Sequence, residues 1–411
     1  MVKTQEQVER KTRAPRGIAR PMVVHLTTVP TSLSLLLATE LRVAESLGLD
    51  VVGMSSAGDD LEEVLAAGVH HIVIPSLTRS WSFRSDLRAI RELYATFRRI
   101  RPAIVHTHTP KAGVYGRIAA RMAGVPVIVN TCHGLWPADA EKNWKAKSVI
   151  IAAEAVASRF CDAELFQNSE DARTMRRFTR NSKVRVVGNG TDLTRYTFDP
   201  VARQRLRAEW GVDEDTCVVL GVGRVIAAKG VGEFCAAAAL AEGGAAVTRW
   251  MWAGFDDGAR TDFVPSWGRV SYLGNRRDMP DLYSAADVFV LPSYREGLPR
   301  SAMEAASVGL PLVLTDVRGT REIGVDGQEC VYVPARDAAA LHAAVDELVA
   351  SPTTRASLAR RGHDRAREMF DQVRVTEWSV ATYRACAVAK GLSWAMDLPD
   401  LKPKEYVSPK G

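Results

Sequence analysis

Arg295-Glu296-Gly297-Leu298-Pro299-Arg300-Ser301-Ala302-Met303-Glu304 gathers two carboxylates, a Gly-Leu-Pro turn and two guanidinium groups into one short segment. It follows an apolar strand expected at 287–291, and Pro299 is expected to open a helix as its first residue. Gly309, with Pro311 just beyond, should end that helix. A helix N-terminus presents unpaired N–H groups and a positive dipole end, which together seat a phosphate. Glu296 precedes the helix, whereas Glu304 lies inside it with its side chain leaning back toward the N-terminus. Two carboxylates then bracket a bound anion without touching it. That suits hydroxyl groups on either side of a diphosphate, the layout of a nucleotide sugar. An ordinary surface helix with two solvated glutamates has the same Glu-x7-Glu spacing. The strand, the turn and the flanking arginines favour a site.

A second set of charges supports it. Gly221-Val222-Gly223-Arg224-Val225-Ile226-Ala227-Ala228-Lys229-Gly230 follows another expected strand and leads into a helix. Two glycines permit close backbone approach, while Arg224 and Lys229 bring two positive charges to the carboxyl edge of a sheet. Arginine grips phosphate oxygens bidentately and lysine acts as a point charge. The segment lacks the Gly-x4-Gly-Lys-Ser/Thr pattern of a P-loop.

In the first half, His106-Thr107-His108-Thr109-Pro110-Lys111 ends a strand and precedes a helix. The two histidines are read as pointing apart, hence as poor joint metal ligands. One is expected to be a core residue, and the other, with Lys111, to meet a polar ligand. Thr131-Cys132-His133-Gly134 follows the next strand; a lone histidine there is a structural residue or a ligand contact. Trp136, Trp144, Lys142, Lys145 and Lys147 interleave indoles with ammonium groups before the apolar run 149–153. Arg98, Arg99, Arg101, Arg173, Arg176, Arg177 and Arg180 add charge to the same half. The mixture suits an anionic membrane surface, and equally a packed helix with a solvated basic face.

The elements that must carry these residues alternate. Strands are expected near 22–27, 50–55, 71–75, 103–106, 126–130, 163–167 and 184–187, with amphipathic helices between the first five. The pattern restarts near Tyr196, with strands at 217–222, 249–253, 270–273, 287–291 and 311–315. Alternation with unbroken apolar strands means parallel sheets covered on both faces. The expected organisation is a basic tail over 1–20, a Rossmann-like domain over 21–195 and a second over 196–370. A C-terminal helix over 371–390 would pack back on the first domain, and 391–411 would be a tail. Ligands of such domains sit outside the strand C-termini.

The chain has 411 residues and a net charge of +6, unevenly divided: +9 over residues 1–195 and −3 over the remainder. It has no apolar run long enough for a membrane span, and its polar, basic first 20 residues are not expected to be a secretory signal. Six scattered cysteines without a Cys-x-x-Cys pair argue against zinc and against a disulfide framework, so a cytoplasmic setting is expected, with association at the inner face of the membrane. No nucleic-acid reader motif is present.

Arg224 with Lys229-Gly230, then Glu296-Gly297-Leu298-Pro299 and Glu304, resemble the donor site of the GT-B retaining glycosyltransferases of family 4. Val187-Gly188-Asn189-Gly190-Thr191-Asp192 is similar to that family's Asn-Gly-Val-Asp turn. The resemblance covers residues 20–385 and implies two Rossmann-like domains facing a central cleft, with a C-terminal helix crossing between them. It also implies roles. Arg224 and Lys229 would neutralise the departing diphosphate, and Glu296 would contact the donor sugar. Gly297, Leu298 and Pro299 would meet sugar and phosphate, and Glu304 the ribose. His133 resembles the Thr-x-His element beside the reacting sugar; with His108 and Lys111 it is the expected acceptor contact. The segments 106–113 and 295–301 resemble the subset acting on lipid-linked saccharides in polysaccharide assembly. One departure is Thr27-Thr28-Val29-Pro30-Thr31-Ser32, where many members have a Gly-Gly turn.

The expected activity is transfer of a sugar, from UDP by default, to a hydroxyl with retention, needing neither metal nor cofactor. Asp213-Glu214-Asp215 has Asp-x-Asp spacing but is read as a solvated turn. A transferase acting on a soluble natural product and a nucleotide-sugar 2-epimerase of the same fold are the alternatives.

Overall fold

The structure, a computed structural model, describes residues 20–58, 61–66, 68–78, 80, 82–135, 144–241, 247–256 and 265–409. The chain forms two compact units, residues 1–187 with 373–405 and residues 188–372 with 406–411. The sequence expectation divided the chain at 195/196. The difference arises because the Gly188-Asn189-Gly190-Thr191 turn bonds to the second unit: Thr191 N–H donates to Phe370 O at 2.8 Å, and Asn189 Nδ2 to Leu298 O at 3.4 Å.

In the first unit, seven strands form one wholly parallel sheet. They are β1 (Met22–Leu26), β2 (Asp50–Ser55), β3 (His70–Val73), β4 (Ile104–Thr107), β5 (Val127–Cys132), β6 (Ala163–Phe166) and β7 (Val184–Val186). Their order is β3-β2-β1-β4-β5-β6-β7. Residues alternate between faces with period two. Val23, Ile104 and Val127 therefore face one core with Val380 and Tyr383, and Val24, Val105 and Ile128 face another with Leu93 and Phe97. The first two helices are α1 (Ala38–Ser46) and α2 (Leu61–Ala66). The next, α3 (Phe83–Ile100), ends at Arg101 with φ 47°, and α4 (Pro110–Ala123) opens with Pro110 at its first turn and ends on Gly124, φ 76°.

The apolar run after Trp144 is the helix α5 (Trp144–Ala157), with Val149 and Val156 exposed. Trp136 and Lys142 lie outside the described residues, as do the side chains of Trp144 and Lys147. Among the described residues no helix is long and apolar enough to cross a membrane. The remaining helix of the first stretch is α6 (Ser169–Met175), capped by Asn168.

The second unit starts with α7 (Pro200–Glu209), which the expectation omitted. Its sheet runs β8 (Cys217–Val222), β9 (Thr248–Ala253), β10 (Val270–Tyr272), β11 (Val288–Leu291), β12 (Leu312–Thr315) and β13 (Val331–Val333). The order is β10-β9-β8-β11-β12-β13, again parallel throughout. β13 was missed because Val331-Tyr332-Val333 is too short for a period-two signal. Helices α8 (Val231–Leu240), α9 (Met279–Ala285), α10 (Arg300–Val308), α11 (Ala338–Ala350) and α12 (Pro352–Met369) cover this sheet. Pro299 is the N-cap of α10, extended at φ −74° and ψ 118°, rather than its first residue. Gly309 ends that helix in the left-handed region at φ 92°.

Beyond it, α13 (Gln372–Ala389) places Val380, Tyr383 and Ala387 in the first unit's core. Residues 391–411 were expected to be a tail, yet Ala395 and Leu398 are buried in that same core. Tyr406 lies in the second unit against Gly188, where a Cβ would meet its ring at 2.5 Å. A single 3-10 turn over Ser393–Asp397 is too short to leave a periodic signal in the sequence.

Candidate active site

Both candidate regions stand where their sheet reverses its strand order, the position at which open parallel sheets bind ligands. In the second unit that point lies between β8 and β11. The loop after β8 carries Arg224 and Lys229, and the loop after β11 carries Glu296 to Pro299. Tyr294 N–H donates to Ala228 O at 3.0 Å and fastens one loop to the other. Gly230, at φ 70°, lets them meet: a Cβ there would lie 2.0 Å from Pro292 O. Gly319 supports the Glu296 loop from behind, since its Cβ would come within 2.4 Å of the Glu296 and Gly297 carbonyls.

Lys229 Nζ lies 2.5 Å from Glu296 Oε1, a pair the sequence did not suggest. Arg224 is exposed and has no hydrogen-bond partner for its side chain among the described residues. Helix α10 has no side-chain cap at Pro299. Glu304 is buried; Tyr283 Oη donates to its Oε2 at 3.0 Å, and Arg300 lies 3.5 Å from its Oε1. Burial raises the Tyr196 and Tyr283 hydroxyls above the ordinary tyrosine range, and the Glu304 charge adds to both. These two phenols keep their protons and hold the carboxylate in place. They escaped the sequence reading because tyrosine on an apolar helix face or in a loop has no distinctive spacing.

Asp213-Glu214-Asp215 forms the expected turn. Asp213 Oδ1 accepts from Thr216 N–H and Oγ1, and Glu214 pairs with Arg203 at 3.1 Å.

In the first unit the reversal lies between β1 and β4. His25 on β1 is in register with His106 on β4. The expectation that His106 and His108 diverge is wrong, since residues i and i+2 of an extended segment share a face. Their ring centroids are 4.1 Å apart. His108 Nε2 is 3.0 Å from His25 Nδ1, and His108 Nδ1 is 3.1 Å from His133 Nε2. Gln167 Nε2 reaches His133 Nδ1 at 2.8 Å. His106 bonds instead to Tyr383 Oη and Thr131 Oγ1, at 2.5 and 2.7 Å.

His108 is buried, whereas His133 is half-buried. Lys111 is drawn elsewhere: its ammonium lies 2.6 Å from Asp86 and donates to the Ser80 carbonyl at 2.5 Å. It is buried. The loop 27–32 is tied to the same edge, with Thr28 N–H donating to Thr109 Oγ1 at 3.0 Å.

Among the described residues, His25, Glu40, His106 and His108 form a group whose donor atoms lie within 4.8 Å of one another. Burial lowers the His25 pKa to about 3 and holds His106 and His108 well below the usual range, so all three rings are neutral near pH 7. Burial raises Glu40 to about 7, opposed by a hydrogen bond from Ser379.

A pH dependence follows. Glu40 holds its proton more tightly folded than unfolded, so its contribution is complete below the ordinary carboxyl range and is lost as pH rises through about 7. His25 acts in the opposite sense: its contribution is present above the ordinary imidazole pKa and is lost as pH falls toward about 3. Glu40→Gln is expected to raise Tm at pH 8, with the gain closing toward pH 5. Equal differences at the two pH values would refute this assignment.

Exposed basic residues are plentiful. Arg98, Arg99, Arg101, Arg173, Arg176, Arg177 and Arg180 all reach solvent in the first unit.

Residues 19–195 match the family model described as Glycosyltransferase Family 4, and residues 216–351 match that of Glycosyl transferases group 1. The chain is 31% identical over 277 residues to the UDP-Gal:alpha-D-GlcNAc-diphosphoundecaprenol alpha-1,3-galactosyltransferase of Escherichia coli, covering 63% of this chain and 69% of that one. It is 25% identical over 362 residues to the capsular polysaccharide biosynthesis glycosyltransferase CapM of Staphylococcus aureus, covering 85% and 93%. Among solved structures, HepE of Anabaena in complex with UDP and glucose superposes with a TM-score of 0.77 at 19% identity, over 89% of this chain and all of that one. Sucrose-phosphate synthase from Thermosynechococcus elongatus gives 0.76 at 19%, over 90% of this chain and all of that one.

Proposed function

As the chain belongs to glycosyltransferase family 4 and has the two-sheet GT-B fold, we propose that it transfers a sugar from a nucleoside diphosphate, UDP by preference, to a hydroxyl of a lipid-linked saccharide in polysaccharide assembly, with retention at the anomeric carbon. The observation that supports this best is the convergence of Arg224, Lys229, Glu296 and the uncapped start of α10 at one strand reversal. The relatives from Escherichia coli and Staphylococcus aureus favour the lipid-linked acceptor and its pathway class by their names.

In this reading the bond from the anomeric carbon to the diphosphate oxygen breaks as the acceptor oxygen bonds to the same face. The acceptor's proton passes to the departing phosphate. Negative charge grows on the diphosphate, and Arg224, Lys229 and the α10 N–H groups stabilise it because they are fixed beforehand. Glu296 receives sugar hydroxyls, Gly297 to Pro299 line sugar and phosphate, and Glu304 receives the ribose. His133 stands on the acceptor side. Two cations and a helix terminus perform the charge neutralisation a divalent ion would otherwise supply, so the transfer step runs without metal or cofactor.

The deciding experiment incubates the protein with UDP-, GDP- and ADP-sugars, with and without a polyprenyl diphosphate saccharide. The expected result is acceptor-dependent release of UDP that persists in EDTA. Conversion of the donor sugar without acceptor would instead indicate an epimerase, and loss of turnover in EDTA would overturn metal independence. A bound UDP-sugar should raise Tm with the logarithm of its saturation, and no shift with any nucleotide sugar would count against the donor site.

The exposed arginines of the first unit and the apolar residues of α5 support contact with an anionic membrane face. Flotation with vesicles containing anionic lipid should carry the protein at low salt and release it as salt rises. Failure to float at low salt would remove the membrane from the proposal.

A further inference from the structure

We propose that Gln167 is a positioning residue that decides which nitrogen of His133 carries its proton, and that His108 and His25 continue that choice through one hydrogen-bond chain. The proposal rests on His133 belonging to the transfer site. Gln167, His133, His108 and His25 are linked in series at 2.8, 3.1 and 3.0 Å. A neutral imidazole has one donor nitrogen and one acceptor nitrogen. Neutral rings joined nitrogen to nitrogen therefore share a single direction, and setting one sets all.

The Gln167 amide nitrogen only donates, so His133 Nδ1 accepts. His133 then carries its proton on Nε2 and gives it to His108 Nδ1. His108 in turn donates from Nε2 to His25 Nδ1. The chain ends at His25 Nε2, which is buried and has no hydrogen-bond partner. A buried donor left unmatched is costly, so the arrangement gives up stability to keep its direction. Burial keeps His25 and His108 uncharged. The backbone fixes their places. His25 is held in the β1–β4 register, and His108 N–H donates to Leu26 O at 2.9 Å.

Both His133 nitrogens are engaged, Nδ1 by Gln167 and Nε2 by His108. While the chain is intact both nitrogens stay occupied, and His133 serves as an oriented ring rather than as the acceptor's base. That agrees with the leaving phosphate receiving the proton.

The test replaces Gln167 with glutamate in the full chain. A carboxylate accepts and does not donate, so at a pH where His133 stays neutral its Nδ1 must carry the proton and all three rings must reverse. Long-range proton–nitrogen spectra of histidine-labelled protein read each tautomer. Wild type is expected to show Nε2–H at His133, His108 and His25. In Gln167→Glu, His25, two rings removed from the change, is expected to switch to Nδ1–H. His108→Phe should abolish that transmission. Both variants should lower kcat about tenfold, with donor KM within twofold, because Gln167→Glu reverses the His133 tautomer and His108→Phe leaves its Nε2–H without its partner.

A wild-type spectrum with mixed tautomers would overturn the proposal even if no variant folds. So would a His25 that ignores Gln167→Glu, or stoichiometric zinc on the histidine lone pairs of the purified protein. Unchanged kcat with reversed tautomers would remove the positioning role. If wild type turns over no nucleotide sugar while the spectra behave as described, the transferase reading fails and the chain stands.

Discussion

Lys229→Ala is expected to lower kcat by about 10²-fold, the usual cost of losing one preorganised contact to charge that develops in the transition state. Arg224→Ala should act on turnover to a similar extent. The two should part company in the ligand-free protein. Lys229 pairs with Glu296, whose side chain is only 11% exposed, so its removal leaves a largely desolvated carboxylate and lowers Tm. Arg224 is exposed, and its loss should leave Tm unchanged. Steady-state kinetics on both variants, with thermal unfolding beside them, separates catalysis from stability. Turnover within about threefold of wild type in either variant would mean that residue does not stabilise the leaving group.

Arg117→Met should destabilise the first unit by about 3–5 kcal/mol without touching either candidate site. Arg117 on α4 is fully buried. Its Nη1 donates to Glu164 at 2.7 Å, its Nη2 to Glu154, and its Nε to Gly113 O at 2.8 Å. Glu164 is itself buried on β6, where desolvation raises its pKa despite the nearby guanidinium. Removing the arginine strands that carboxylate in a low-dielectric core. Urea unfolding of Arg117→Met measures the loss. Combining it with Glu164→Leu should recover most of it, since a buried ion pair and a well-packed apolar pair are often close in energy. A single variant that unfolds at the wild-type midpoint would show that water reaches Glu164.

The parts legible in the sequence were those with periodic or motif signals. Twelve-strand alternation announced two parallel sheets, and Arg224, Lys229, Glu296 and Glu304 stood out because charge beside Gly and Pro at a strand end is uncommon. Contacts between distant segments were not legible. Lys229 and Glu296 meet because β8 and β11 are neighbours, which strand order alone determines. The histidine chain joins four segments, from His25 to Gln167, and is invisible until the β1–β4 and β4–β5 registers are known. The divergent reading of His106 and His108 erred in the period of a strand. Lys111 was placed by its neighbours in sequence, whereas Asp86 on α3 holds it.

In the proposed donor site the Lys229–Glu296 pair also bears on selectivity. An empty site in which the cation already has a carboxylate is self-neutralised, so a free phosphate gains little by entering. It must compete with Glu296 for the ammonium, and success leaves the carboxylate without a partner. Only a ligand with phosphate oxygens for Lys229 and hydroxyl groups for Glu296 replaces both halves of the pair at once. Discrimination then comes from what a partial ligand leaves unmatched rather than from what a complete one adds.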